Sequence, residues 1–150
     1  MKKPQYRIAV MLATHKRTDA LSRSLFSLIN RAKDLDSIQF IFGIDNNDQI
    51  GLNHFITVIQ PELDQRGINY EALGFEPMGY MGLNQYYNTM AKSADADWLM
   101  VWCDDAICET NDWDQRISEC TGEFKLLKVH THNEHPYSIF PIYPAEWHKT

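Results

Sequence analysis

No stretch of this 150-residue chain is apolar over the roughly 18 residues that a membrane-spanning helix needs, so no integral span is expected. Cysteine is scarce. Cys103, Cys108 and Cys120 form an odd set without CxxC spacing, which argues for reduced thiols in a cytoplasmic protein over a disulfide framework or a zinc site. Basic charge is short as well. A formal net charge of −6 provides no basic face for duplex nucleic acid, and an anionic ligand would need local help from a cation or from helix N-termini. The opening MKKPQYRIAVMLATHKR places two lysines before a short apolar stretch. That stretch runs into THKR instead of a small-residue cleavage site, so secretion is not expected. Repeats, linkers and low-complexity tracts are also missing, and the length suits one domain over residues 1–150.

What is present is a well-stocked core. Hydrophobic residues make up 44% of the chain and aromatics 12%, which excludes wholesale disorder. Strand-like and helix-like segments alternate. YRIAVMLAT (residues 6–14) is an apolar run of buried-strand length. TDALSRSLFSLINRAK then spaces Leu21, Leu25, Leu28 and Ile29 as one helical face, with Thr18 or Asp19 as N-cap. SIQFIFGID (37–45) reads as a second strand. LNHFITVIQPELDQRG reads as a second helix, stopped by Gly67 and broken or kinked at Pro61. INYEALGF is a weaker third strand, and MGLNQYYNTMAKSA a helix with Leu83, Tyr86, Tyr87 and Met90 on one side. DWLMVWC (97–103) is the clearest strand, and it runs straight into Asp104-Asp105. NDWDQRISECTG opens a short helix at Asn111 or Asp112, and two further strands are expected around residues 125–130 and 137–142.

This order predicts an α/β domain with a mostly parallel sheet. Ligands of such sheets bind beyond the carboxyl ends of the strands. The first strand ends at Ala13-Thr14-His15, the second at Asp45-Asn46-Asn47 and the fourth at Asp104-Asp105, so parallel strands would align three polar ends along one edge. Adjacent aspartates leaving a low-dielectric strand repel each other and are costly unless solvated, paired or metal-bound. Hard ions such as Mg²⁺ or Mn²⁺ take one or two carboxylates together with substrate phosphates. The pair is therefore either an ordinary polar loop or a cation site.

The order of IAVMLATHKR, FIFGIDNND, GYMGLNQYYNTMAKSADADWLMVWCDDAI and TNDWDQRI resembles the family 2-type glycosyltransferases, over approximately residues 6 to 145. The resemblance implies a GT-A-like (nucleotide-diphospho-sugar transferase) fold, a Rossmann-type α/β/α sandwich. It also implies transfer of a sugar from a UDP- or GDP-linked donor to a saccharide, lipid or protein acceptor. Carried over, Thr14 borders the nucleoside, and Asp45, with Asn46 beside it, accepts from the base or ribose. Lys16 and Arg17 read either as a charged surface loop, the plainer reading, or as contacts to a diphosphate. Gly79 and Gly82 either let backbone approach a ligand closely or are plain turn glycines. Asp104 faces the ribose or the metal, and Asp105 is the principal ligand of Mn²⁺ or Mg²⁺. Inversion at the transferred carbon is implied as well.

The sequence departs from that pattern near its end. The usual carboxylate base lies beyond the sixth strand, and Glu146 is the only acid in the last dozen residues, with nothing to mark it as a base. The acceptor half is thus expected to be shortened, supplied by another subunit or missing. A histidine from the C-terminal part sometimes completes the metal shell in this family, and this chain has the cluster HTHNEH there. His130 and His132 alternate on one strand face, but solvated edge histidines are the plainer reading, and His135 precedes a proline. Tyr137, Phe140, Tyr143 and Trp147 read as core more readily than as a sugar platform. Asn84 and Asn88 read as solvated helix positions. Two other functions fit the same segments: a non-catalytic nucleotide-sugar-binding module, and a sugar-phosphate nucleotidyltransferase. LATHKRTDA lacks the glycine-rich loop of the latter.

Overall fold

The computed structural model describes residues 2–120, 125–132 and 140–149. Four strands form the parallel heart of the sheet: β1 (Tyr6–Thr14), β2 (Ile38–Asp45), β3 (Asn69–Phe75) and β4 (Ala96–Cys103). Two short strands, β5 (Leu127–Lys128) and β6 (Pro141–Pro144), extend it. The order is β3-β2-β1-β4-β6-β5, parallel from β3 through β4 and antiparallel beyond. Strand order reverses between β1 and β4. That reversal is the topological switch point, where the connections leave in opposite directions and open a crevice above the strand ends.

Period-two alternation sorts the strand residues onto two faces. Ile8, Val10 and Leu12 of β1 join Phe40, Phe42, Met100 and Trp102 in one core, covered by α1 (Thr18–Arg31), by the helical run from α2 (Gln49–His54) to α3 (Gln60–Gln65), and by α5 (Trp113–Ser118). Ala9 and Met11 join Ile41 and Leu99 on the other face, beneath α4 (Leu83–Ser93), which contributes Tyr86, Met90 and Ala91. Both faces are buried, which is why β1 and β2 read as unbroken apolar runs. The expected α/β/α sandwich with a mostly parallel sheet is the observed fold.

Several local expectations need correction. The residue before α1 is Arg17, and Thr18 is already helical, so no side chain caps that helix. Pro61 does not break the second helical segment. The run passes through a π-turn at Phe55–Ile59 and continues with Pro61 in the first turn of α3, where its missing N–H costs little. That run also starts earlier than its apolar spacing implies, at Gln49, because Asp48 caps it. Leu83 of α4 is exposed and Tyr87 half-buried, leaving Tyr86 and Met90 as the inward pair. Of the two late strands, the first shrinks to two residues. The second lies at Pro141–Pro144, and residues 137–139 of its expected span fall outside the described residues. Phe140 packs on Trp102 with ring centroids 5.1 Å apart, and Tyr143 stacks on Trp147 at 6.2 Å, so these three aromatics are packing residues; Tyr137 lies outside the described residues. Asn84 and Asn88 are exposed.

The end of α1 is held by α5. Trp113 Nε1 donates to the Leu28 carbonyl at 2.9 Å, and the Asp114 carboxylate accepts from the backbone N–H groups of Lys33 and Asp34, both at 2.8 Å. Asp114 is only 2% exposed, so its charge depends on those two donors. Asp114→Ala is expected to cost about 3 kcal/mol in urea unfolding at pH 7, because two charge-assisted bonds vanish and two buried N–H groups lose their acceptor. Asp114→Asn, which keeps one acceptor oxygen, should cost less.

Candidate functional site

The carboxyl ends of β1, β2 and β4 carry the polar residues, and the loop after β1 ties them together. Thr14, the last residue of β1, donates its hydroxyl to Asp104 Oδ2 at 2.8 Å across the switch point. Arg17 Nη1 reaches Asp104 Oδ1 at 3.3 Å and Asp105 Oδ2 at 2.6 Å. Two consecutive aspartates therefore converge on one positive group. Asp104 is buried and held from two sides, whereas Asp105 stands in solvent with 57% of its side chain exposed.

Burial raises the Asp104 pKa above its ordinary value, against the opposing pull of the Thr14 hydroxyl and the Arg17 charge. Arg17 is raised in turn, chiefly by the charge of Asp104 and by its hydrogen bond to Asp105. Cys103, between the core and the pair, is pushed up to about 11 by burial and by its two acidic neighbours. Burial is thus the leading cause for Asp104 and Cys103, and the acidic pair is the leading cause for Arg17.

Asp45 ends β2 with 7% exposure, and both its oxygens have donors. His15 Nδ1 lies 2.8 Å from Oδ2, and the Tyr86 hydroxyl donates to Oδ1 while accepting from the Met78 N–H at 2.9 Å. A carboxylate can only accept, so Nδ1 of His15 carries the proton, and in the neutral ring Nε2 is an acceptor. Burial and the Asp45 carboxylate together raise the Tyr86 pKa, which keeps that phenol a donor. His15 is thus a member of this cluster; the sequence placed it at the polar end of the first strand but gave it no role, and its pairing with Asp45 appears only in the fold.

Asp48 had no role assigned from sequence either. Fully buried, it accepts from the backbone N–H of Lys16 at 2.7 Å and from that of Gly51 at 2.9 Å. Lys16 has φ of 57°, a left-handed conformation that ordinary side chains avoid. The Asp48 latch holds it there and so sets the path of the loop carrying His15 and Arg17. The D-x-x-G spacing from Asp48 to Gly51 was the readable N-cap sign.

The remaining sequence-derived candidates divide. Asn46 is exposed just past Asp45, and its N–H donates to the Phe75 carbonyl at 2.7 Å, which continues the β2–β3 pairing. Gly82 is buried in the turn before α4, where a Cβ would press on Met78, so packing alone accounts for that glycine. His132 pairs with Glu109 at 3.0 Å on an exposed surface instead of with the aspartates, His130 is exposed, and His135 lies outside the described residues. Among the described residues no cluster of three or more metal-ligating side chains occurs. No helix among them is long and apolar enough to cross a membrane.

A doubly wound, mostly parallel sheet of this order is the GT-A fold, and the chain has that fold. It resembles the mannosyltransferase PcManGT from Pyrobaculum calidifontis, solved with GDP-Man and Mn²⁺, at a TM-score of 0.71 and 9% identity over 95% of this chain and 45% of that one. It resembles S. aureus TarS 1–349, solved with UDP, at 0.70 and 16% identity over 95% and 48% of the two chains. For apo GlyE of Streptococcus pneumoniae TIGR4 the values are 0.57, 12%, 95% and 35%. The chain thus spans less than half the length of these structures, and at such identities the likeness is one of fold. No protein-family model matches the sequence, and no curated protein matches it significantly.

The Asp48 latch reverses the usual sign of a helix substitution. Gly→Ala inside a helix ordinarily stabilises by about 1 kcal/mol. Gly51→Ala is expected to destabilise instead, by about 1–3 kcal/mol in urea unfolding, because the new methyl would collide with Asp48 Oδ2. Faster amide hydrogen exchange at Lys16 in that variant would show the loop released.

Proposed function

We propose that residues 1–150 form a single donor-binding domain of a family 2-type glycosyltransferase. It transfers a sugar from a UDP- or GDP-linked donor to a hydroxyl of a saccharide, lipid or protein. The observation that carries this reading is the meeting of Thr14, Arg17, Asp104 and Asp105 at the switch point of a GT-A sheet. Neighbours of the same fold were solved with GDP-Man and Mn²⁺, with UDP and with UDP-GlcNAc, which supports a nucleoside-diphosphate ligand.

The donor set suits a hard divalent ion. Asp104 and Asp105 offer two carboxylates that already share a cationic partner, and diphosphate oxygens supply the rest of a Mn²⁺ or Mg²⁺ shell. An ion held there neutralises charge on the departing diphosphate. The protein's own contributions are separable. Thr14 fixes Asp104, which needs support because it is buried; Asp105, exposed, is the ligand free to reorient. Asp45 orients His15, and the Nε2 acceptor suits a base N–H or a ribose hydroxyl. The free thiols Cys103, Cys108 and Cys120 fit a reducing, cytoplasmic setting.

Calorimetry with UDP and GDP, with and without Mn²⁺, tests donor binding, and a donor-hydrolysis assay then separates an enzyme from a binding module. Asp105→Ala is expected to abolish metal-dependent nucleotide binding while its thermal unfolding stays within about 0.5 kcal/mol of wild type, as for other exposed positions. Unchanged nucleotide affinity in that variant would remove the metal role.

A further inference from the structure

Arg17 already occupies the place where a cation would serve the acidic pair. Its guanidinium bridges Asp104 and Asp105, and the Asp105 contact, at 2.6 Å, is the shorter. Two carboxylates and one guanidinium leave one negative charge, so the pair as it stands repels a diphosphate. A divalent ion entering beside Arg17 would meet a positive group only a few ångströms away, and the same Asp105 oxygen cannot serve both fully. One cation must yield. The long, half-exposed Arg17 side chain is the movable one: Asp104 is pinned by Thr14, while the Arg17–Asp105 pair lies in solvent, where such pairs contribute little. A displaced guanidinium needs a new anion, and its planar fork matches phosphate oxygens.

We infer that Arg17 is the resident counter-ion of the aspartate pair and changes partner, from the carboxylates to the diphosphate, as a metal–nucleotide enters. This rests on the nucleotide-sugar reading above. The exchange makes metal and diphosphate binding mutually reinforcing. Bare metal must displace Arg17 with nothing to receive it; metal arriving with a diphosphate brings the receiver along. Arg17 therefore acts with opposite signs on the two ligands, which a residue that merely contacts nucleotide would not do.

Wild type, Arg17→Ala and Arg17→Gln would be titrated with Mn²⁺ alone, following free Mn²⁺ by electron paramagnetic resonance, and with UDP and GDP at saturating Mn²⁺ by calorimetry. Removing Arg17 should tighten bare Mn²⁺ binding by about fivefold, the worth of an exposed pair. It should weaken nucleotide binding by about tenfold or more, the worth of a charge-assisted bond. Bare Mn²⁺ affinity that is unchanged or weaker in both variants overturns the inference, even if wild type binds Mn²⁺–UDP and the glycosyltransferase reading stands. If wild type binds neither UDP nor GDP with Mn²⁺, the nucleotide reading itself fails, and with it the partner exchange.

Discussion

The Thr14–Asp104 hydrogen bond is the constraint on which the site depends. It joins residues 90 positions apart in sequence, and it can form only because β1 and β4 run side by side and in parallel. The register Ala13↔Cys103 brings the two strand ends level, so the next residue of each meets across the crevice. Below that bond β1 is buried from Ile8 to Leu12 and β4 from Trp98 to Met100; above it, Arg17, Asp105 and His15 stand in or near solvent.

Buried acids in this molecule fall into two kinds, and the difference is physical. Asp48 and Asp114 are satisfied by backbone N–H groups, which move only if the chain moves. They are architecture: one sets the first loop, the other joins α5 to the end of α1. Asp45 and Asp104 are satisfied by side chains, namely His15, Tyr86, Thr14 and Arg17, which can rotate and be replaced. Partners of that kind can be exchanged without moving the backbone, as the proposed donor binding would require. Asp104 in addition carries a burial cost that its neighbours only partly offset, a strain that a correctly shaped core would not retain.

How much of this was legible in the sequence follows from the same distinction. β1, β2 and β4 announced themselves because both faces of each are buried, so apolar residues run without interruption to a polar end. The parallel order then placed residues 14, 45 and 104 on one edge. Asp114 and the long-range half of Asp48's role stayed hidden, since an aspartate that serves distant backbone donors looks like any loop or helix-surface acid until the fold brings those donors to it; only the local bond from Gly51 to Asp48 had a readable sign. Pro61 misled for a local reason: it falls in the first turn of α3, directly after a π-turn, and periodicity cannot register that. The short strands β5 and β6 were blurred because two to four residues pair too briefly to impose an alternation.

The margins of the sheet carry a separate consequence. An open strand margin offers a row of backbone groups onto which another molecule can zip, the route by which sheet proteins aggregate. Here one margin, β5, is two residues long, too brief a template to seed such growth. The other, β3, has Glu71 near its middle and Gly74 near its end, so an incoming strand would have to accommodate a carboxylate and then lose side-chain contact. Each margin is thus, for its own reason, a poor template for an incoming strand.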